Sequence, residues 1–160
     1  MELFWLGTVG AGRLAVCTRP RAGYFLTDDL AALRAEGVDV LVSALTPHEE
    51  RQLQLEDEGT AAASAGLDFI RFRIGNLQVP DGEHDRLVLE GLQERLGAGA
   101  TVAAHCHASV GRSPLIAVSL MVLSGWPAAS AWAHVEAARG IRVPDTLEQR
   151  AWPERLIALP

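Results

Sequence analysis

Short apolar runs alternate with helical stripes along the whole chain. Residues 38–45 form a nearly continuous β-branched and apolar run, of the kind found in a strand covered on both faces. Residues 67–74 and 101–105 read the same way, and residues 3–6 and 13–17 as shorter strands around a turn at 7–12. The segments between them carry helical signals. Residues 27–36 predict a helix capped by Thr27, with Asp28 and Asp29 at its positive end and Gly37 as its stop. Thr46-Pro47-His48-Glu49 has the form of a capping box with proline at the first helical position, opening a helix that runs towards Gly66 with a break near Gly59. Residues 85–96 predict a helix with Asp85 as its N-cap and an apolar stripe of Leu87, Leu89, Leu92 and Leu96. An apolar helix from Ser113, a helix over 128–139 and one over 145–159, interrupted at Pro153, complete the chain. Strands separated by helices imply βαβ units. The expected fold is therefore α/β, a single domain over residues 1–160 with a central, mostly parallel sheet flanked by helices. Ligands in such sheets sit beyond the C-terminal ends of the strands, and the strand ending at His105 points straight at Cys106.

Composition narrows the function. A chain of 160 residues, nearly half of them apolar, suits one compact core. A formal net charge of −6 argues against nucleic acid as a partner, which calls for a basic face. Every one of the 14 basic residues is arginine, the signature of a GC-rich, and so bacterial, coding sequence. Residues 1–5 lack the basic region of a signal peptide, and the longest apolar run, 114–123, is too short to cross a bilayer, so no membrane partner is expected. Only two cysteines occur, Cys17 and Cys106, with no disulfide framework, which fits a reducing, cytoplasmic setting.

The chemistry concentrates in His105-Cys106-His107-Ala108-Ser109-Val110-Gly111-Arg112-Ser113-Pro114. A cysteine six positions before an arginine means little alone. Here a buried strand leads in, small residues fill the loop and a long apolar helix leads out. Such a loop turns successive backbone N–H groups inward as an anion nest, and the following helix adds its positive end. The N–H groups of His107, Ala108, Ser109, Val110 and Gly111 would bind phosphate, and Arg112 would present a planar fork to two of its oxygens. The same groups stabilise a thiolate at Cys106. Ser113-Pro114 also reads as an ordinary N-cap followed by proline. The histidines lie at no recognised ligand spacing, so no metal or other cofactor is expected.

This segment resembles the H-C-x5-R-[S/T] signature of the protein tyrosine phosphatase superfamily, and the short chain is similar to its dual-specificity members. The resemblance implies a nucleophilic Cys106, a phosphocysteine intermediate hydrolysed by water, and no metal. It further implies that Arg112 binds phosphate, that the Ser113 hydroxyl helps stabilise the thiolate, and that His105 tunes the cysteine. Many members carry glycine where Ser109 stands, because the backbone there takes positive φ; a side chain at such a residue costs on the order of 1 kcal/mol.

The leaving oxygen needs a proton donor from another loop. The turn-forming stretch Val79-Pro80-Asp81-Gly82 follows a strand and resembles the family's general-acid loop, with Asp81 as the acid. Glu83 and Asp85 compete on chemistry alone. The segment 139–149 resembles that in which many members place a water-orienting glutamine, here Gln149, although Thr146 and Gln149 are also spaced as a capping box. The implied substrate is a phosphorylated protein, at tyrosine and/or serine and threonine, or a small phosphate ester such as a phosphoinositide or nucleotide. A non-enzymatic phospho-binding module is disfavoured by the presence of cysteine, arginine and acid together. A sulfurtransferase or arsenate reductase is disfavoured by the spacing to Arg112.

Overall fold

The computed structural model describes residues 1–158, apart from the side chain of Glu83. Its elements run β1 (Leu3–Val9), β2 (Gly12–Cys17), α1 (Phe25–Ala35), β3 (Val40–Ser43), α2 (Pro47–Leu53), α3 (Glu58–Ser64), β4 (Asp68–Arg71), α4 (Glu83–Gly97), β5 (Thr101–His105), α5 (Arg112–Leu123), α6 (Ala128–Arg139) and α7 (Leu147–Ala158). The five strands make one sheet in the order β1-β2-β5-β3-β4, antiparallel only at the β1–β2 hairpin. The expected α/β architecture is the one found.

Alternation along the strands explains the layers. Leu14, Val16, Val40, Val42, Val102 and Ala104 face one core, closed by α4 to α7. Ala15, Cys17, Leu41 and Ala103 face the other, closed by α1, α3 and the segments around them. Both sides of β3 and β5 are thus apolar, which is why these strands lack a polar period. The chain leaves β2 through α1 on one face and enters β5 from α4 on the other, and β5 inserts between β2 and β3. That reversal opens a crevice beyond the carboxyl end of β5, where Cys106 follows directly. No helix of the described residues is long and apolar enough to cross a membrane.

Several elements differ from the sequence expectations. The hairpin strands extend to Val9 and start at Gly12, so the turn is tighter. α1 begins at Phe25 behind Tyr24, with no side-chain cap, rather than at Thr27. Asp29 does not serve its positive end; it is buried and accepts hydrogen bonds from the Arg21 backbone N–H (2.8 Å) and guanidinium. The bidentate bonding to Arg21 fixes Asp29 in place of a helix-dipole contact worth typically about 0.3–1 kcal/mol. The helix after Thr46 breaks at Gln54, which turns left-handed (φ 55°), before Gly59 is reached. β3 and β4 are shorter than their apolar runs, because residues 72 and 74 hydrogen-bond to β3 and its exit outside the regular ladder. α4 starts at Glu83, so Asp85 is not its N-cap; its carboxylate reaches back to the N–H groups of Asp81 and Gly82. Leu87 is 62 % exposed and belongs to no stripe. α7 runs through Pro153 without a break. Its expected end, Leu159, lies outside the described residues.

Candidate active site

The loop from Cys106 to Gly111 starts at the C-terminal end of β5 and ends on the first turn of α5. Its outward side is fastened by arginines. Arg19 Nη1 donates to the His107 carbonyl (2.7 Å) and Arg139 Nε to that of Ser109 (2.9 Å). Turning carbonyls outward turns N–H groups inward, and none of the N–H groups of residues 107–111 donates to another group of the described chain. Unpaired donors converging at a helix N-terminus are an anion site. Ser109 carries the positive φ expected at its position, 57°. Its buried hydroxyl donates to the Cys17 carbonyl, a contact glycine could not make and one that offsets the backbone cost.

Cys106 lies at the floor of a cavity of about 610 Å³, with its Sγ 3.4 Å from the Ser113 hydroxyl. The expected cap is corrected here: α5 begins at Arg112 behind Gly111, so Ser113 is inside the first turn and its hydroxyl is left for the cysteine rather than the helix end. His105 is fully buried, with Nε2 2.8 Å from Glu58 Oε1, yet neither atom makes a directed hydrogen bond. The two atoms are close without the alignment of an N–H···O hydrogen bond.

Arg112 is nearly inaccessible except through the cavity. Its Nη1 donates to Glu49 Oε2 (2.7 Å) and the Ile74 carbonyl (3.0 Å), and its Nη2 to Glu49 Oε1 (2.7 Å). A guanidinium has five N–H bonds. These contacts use both of those on Nη1 and one on Nη2, which leaves Nε–H and the second Nη2–H side by side on one edge of the fork. That edge suits two oxygens of one anion. Burial works against the charge on Arg112, but the Glu49 carboxylate outweighs it and holds the guanidinium pKa above its ordinary value. Burial likewise works against ionised Glu49; hydrogen bonds from Arg112 and from the Thr46 N–H reverse this and bring its pKa down to about 2. Glu49 therefore fills two roles. It closes the capping box with Thr46, as its spacing predicts, and it orients the arginine. The second role lies beyond local sequence patterns, because the partners are 63 residues apart.

Gln149 is buried. Its backbone N–H donates to Thr146 Oγ1 (3.1 Å), so the expected cap forms by half, while its side-chain Nε2 donates to the Gln78 carbonyl (3.0 Å). Its Oε1 is buried without a partner. The loop over residues 75–82 borders the cavity through Asn76 and Leu77. Asp81 is exposed and lines a neighbouring cleft with Trp152 and Leu156 instead. Among the described residues the carboxylates that line the Cys106 cavity are Glu49 and Asp145.

Both thiols are buried, but only Cys106 borders the cavity. Cys17 is fully buried against the Ala104 carbonyl, and burial pushes its pKa well above the ordinary range. In the folded protein iodoacetamide is expected to modify Cys106 and spare Cys17 until denaturant is added, as read by peptide mass spectrometry. Equal labelling of both cysteines before unfolding would mean that the cavity does not give access to Cys106.

Comparison with solved structures places the fold. Kinase associated phosphatase, determined with its catalytic-site cysteine replaced by serine, superposes with a TM-score of 0.88 over 100 % of this chain and 98 % of its own, at 18 % identity. PTPMT1 in complex with PI(5)P matches with a TM-score of 0.68 over 94 % of this chain and 96 % of its own, at 17 % identity. TpbA from P. aeruginosa in complex with pTyr matches with a TM-score of 0.59 over 89 % of this chain and 82 % of its own, at 19 % identity. These likenesses concern the fold. No curated protein matches the sequence. The sequence model of the Tc-R-P family, described as polymorphic toxin system, DSP-PTPase phosphatase, matches residues 15–126, from β2 through the Cys106 loop and α5. The chain belongs to that family, and it is a phosphatase of the tyrosine and dual-specificity type.

Proposed function

We propose that this phosphatase hydrolyses phosphate monoesters on tyrosine and/or serine and threonine of phosphorylated proteins, through a phosphocysteine on Cys106. The observation that carries the mechanism is Cys106 Sγ beside the Ser113 hydroxyl, beneath a loop of free N–H groups and the open edge of Arg112. The thiolate attacks phosphorus, the P–S bond forms as the P–O bond to the leaving group breaks, and water then cleaves P–S to release phosphate and thiolate. The N–H groups of residues 107–111 and Arg112 hold the oxygens on which charge accumulates. Ser113 steadies the sulfur as it leaves. His105, behind the cysteine, fixes the end of β5. Asp81 is the sequence-based proton donor, and it would serve if residues 75–82 folded over the cavity.

A second reading has one observation in its favour. On the far side of His107 and Ala108 a separate cleft is lined by Arg19 and by Arg21, whose charge Asp29 already pairs, so a substrate with a second anionic group would find the Arg19 charge beside the loop. A small multiply charged ester, a phosphoinositide for example, has that form. Both readings are tested by kcat/KM values on a generic aryl phosphate, then on phosphopeptides, phosphoinositides and nucleotides. Phosphopeptides exceeding the small esters by tenfold or more would support the first reading. The reverse order would replace it with the second.

A further inference from the structure

We infer that Arg139 and Arg19 are positioning residues of the phosphate loop, each fixing one of its N–H groups from outside the cavity. The inference rests on the reading of residues 107–111 as the anion loop and adds to it what keeps that loop in form. Neither arginine lies in the segment from His105 to Pro114, and neither lines the Cys106 cavity. Arg19 follows β2, which runs parallel to β5, so the chain beyond β2 passes beside the start of the loop. Arg139 is the last residue of α6, which packs on β1. Its guanidinium carbon lies 3.8 Å from the centroid of the Phe4 ring on β1, a cation–π contact that holds the group in place.

A peptide plane is rigid, so a carbonyl and the N–H of the next residue turn together. Arg19 Nη1 on the His107 carbonyl therefore fixes the Ala108 N–H on the cavity side. Arg139 Nε on the Ser109 carbonyl fixes the Val110 N–H in the same way. Among the described residues no backbone N–H reaches either carbonyl; their donors are the two arginines. Ser109 is fully buried, so Arg139 does there what water does at an exposed carbonyl. The Ser109 hydroxyl also ties the loop to Cys17. That tie fixes the position of Ser109 but leaves the planes on either side free to turn.

The loop needs this hold because its own dipoles oppose one another. The N–H groups of residues 107–111 point into one space, and without an anion their positive ends repel. Turning a plane over relieves the repulsion and aims a carbonyl oxygen into the anion site instead. A guanidinium carries donors only, so it bonds an outward carbonyl and offers nothing to an outward N–H. The two arginines thus favour the orientation that binds phosphate oxygens. Removing one lowers the fraction of molecules whose loop is in that form, and the apparent dissociation constant of an anion rises by the inverse of that fraction. Saturating substrate restores the form, so KM moves and kcat does not.

The test uses the full chain with orthovanadate and an aryl phosphate, and the variants Arg139→Met, Arg19→Met, the two together, and Arg139→Lys. Arg139→Met, whose stem still covers Phe4, should raise KM and the vanadate dissociation constant by the same factor, about tenfold, with kcat within about threefold of wild type. The pair should exceed either single variant. Arg139→Lys should recover most of the affinity, since one ammonium donor serves one carbonyl, whereas Arg112 needs its fork. Should Arg139→Met not fold, Arg19→Met carries the test with the same signature. Wild-type KM and vanadate affinity in the pair would overturn the inference. So would a fall in kcat at unchanged KM, which would place the arginines in the chemical step. A lower melting temperature with unchanged affinity would make them merely structural and would overturn it as well. Vanadate that does not bind the unsubstituted protein would overturn the anion-loop reading itself.

Discussion

Cys106→Ser is expected to bind orthovanadate with near wild-type affinity and to release no measurable phosphate from an aryl phosphate. The substitution removes one sulfur and leaves the N–H groups of residues 107–111 and the free edge of Arg112 in place, so the anion site persists. A serine hydroxyl remains protonated at neutral pH, and among the described residues no basic side chain is hydrogen-bonded to the position of Cys106 Sγ. The side-chain partner of Cys106 Sγ is the Ser113 hydroxyl, which among the described residues is itself bonded to no base. Removing the nucleophile of a covalent mechanism costs about 10⁴–10⁶-fold in kcat. Vanadate affinity is read by fluorescence titration of the four tryptophans, and turnover by phosphate release. Turnover within tenfold of wild type would remove Cys106 from the chemistry. Loss of vanadate binding together with turnover would mean that the sulfur shapes the loop rather than attacks from it.

The parts of this site that were legible in the sequence are those whose cause is local. Thr101–His105 was expected and found residue for residue, because its apolar middle, Val102 to Ala104, packs into both cores and is bounded by polar Thr101 and His105. The capping box at Thr46 and the helix over Ala128–Arg139 follow from spacing within a single turn or stripe. The segment from Cys106 to Arg112 stood out as a short connection between a buried strand and an apolar helix, and it joins β5 to α5. Ser109, read as a departure needing positive φ, has that φ and the hydroxyl contact that supports it. What was not legible depends on topology. Glu49 reaches Arg112 only because β3 and β5 are neighbours and their exits meet. Asp145 reaches the cavity only because α7 packs on α5. Turn chemistry correctly marked the segment around Asp81 as a loop, but nothing in four residues says which cleft the carboxylate faces. Likewise Ser113-Pro114 carries a cap signal, yet the helix starts one residue earlier, because Arg112 is drawn inward to Glu49.

Arg112→Lys is expected to lose both binding and turnover, the opposite split from Cys106→Ser. An ammonium keeps the charge and can still pair with one oxygen of Glu49, but it cannot present two parallel N–H bonds to one phosphate while doing so. Removing one preorganised donor to developing charge costs about 10²–10³-fold in kcat, and two are lost here, so a fall of about 10³-fold or more in kcat/KM follows. Vanadate affinity should drop with it, because the anion would lose the bidentate edge of Arg112. Stability should fall as well. The Ile74 carbonyl, held at 3.0 Å by Nη1, would be left without its donor, at about 1–3 kcal/mol for a buried group. Glu49→Gln separates the two effects. It weakens the orientation of Arg112 but keeps the fork, so vanadate binding should survive within about tenfold while the melting temperature drops. Kinetics on the aryl phosphate, vanadate titration and thermal melts of both variants read the three quantities independently. Near-normal kcat/KM in Arg112→Lys would mean that charge alone suffices and that the open edge of the guanidinium binds nothing.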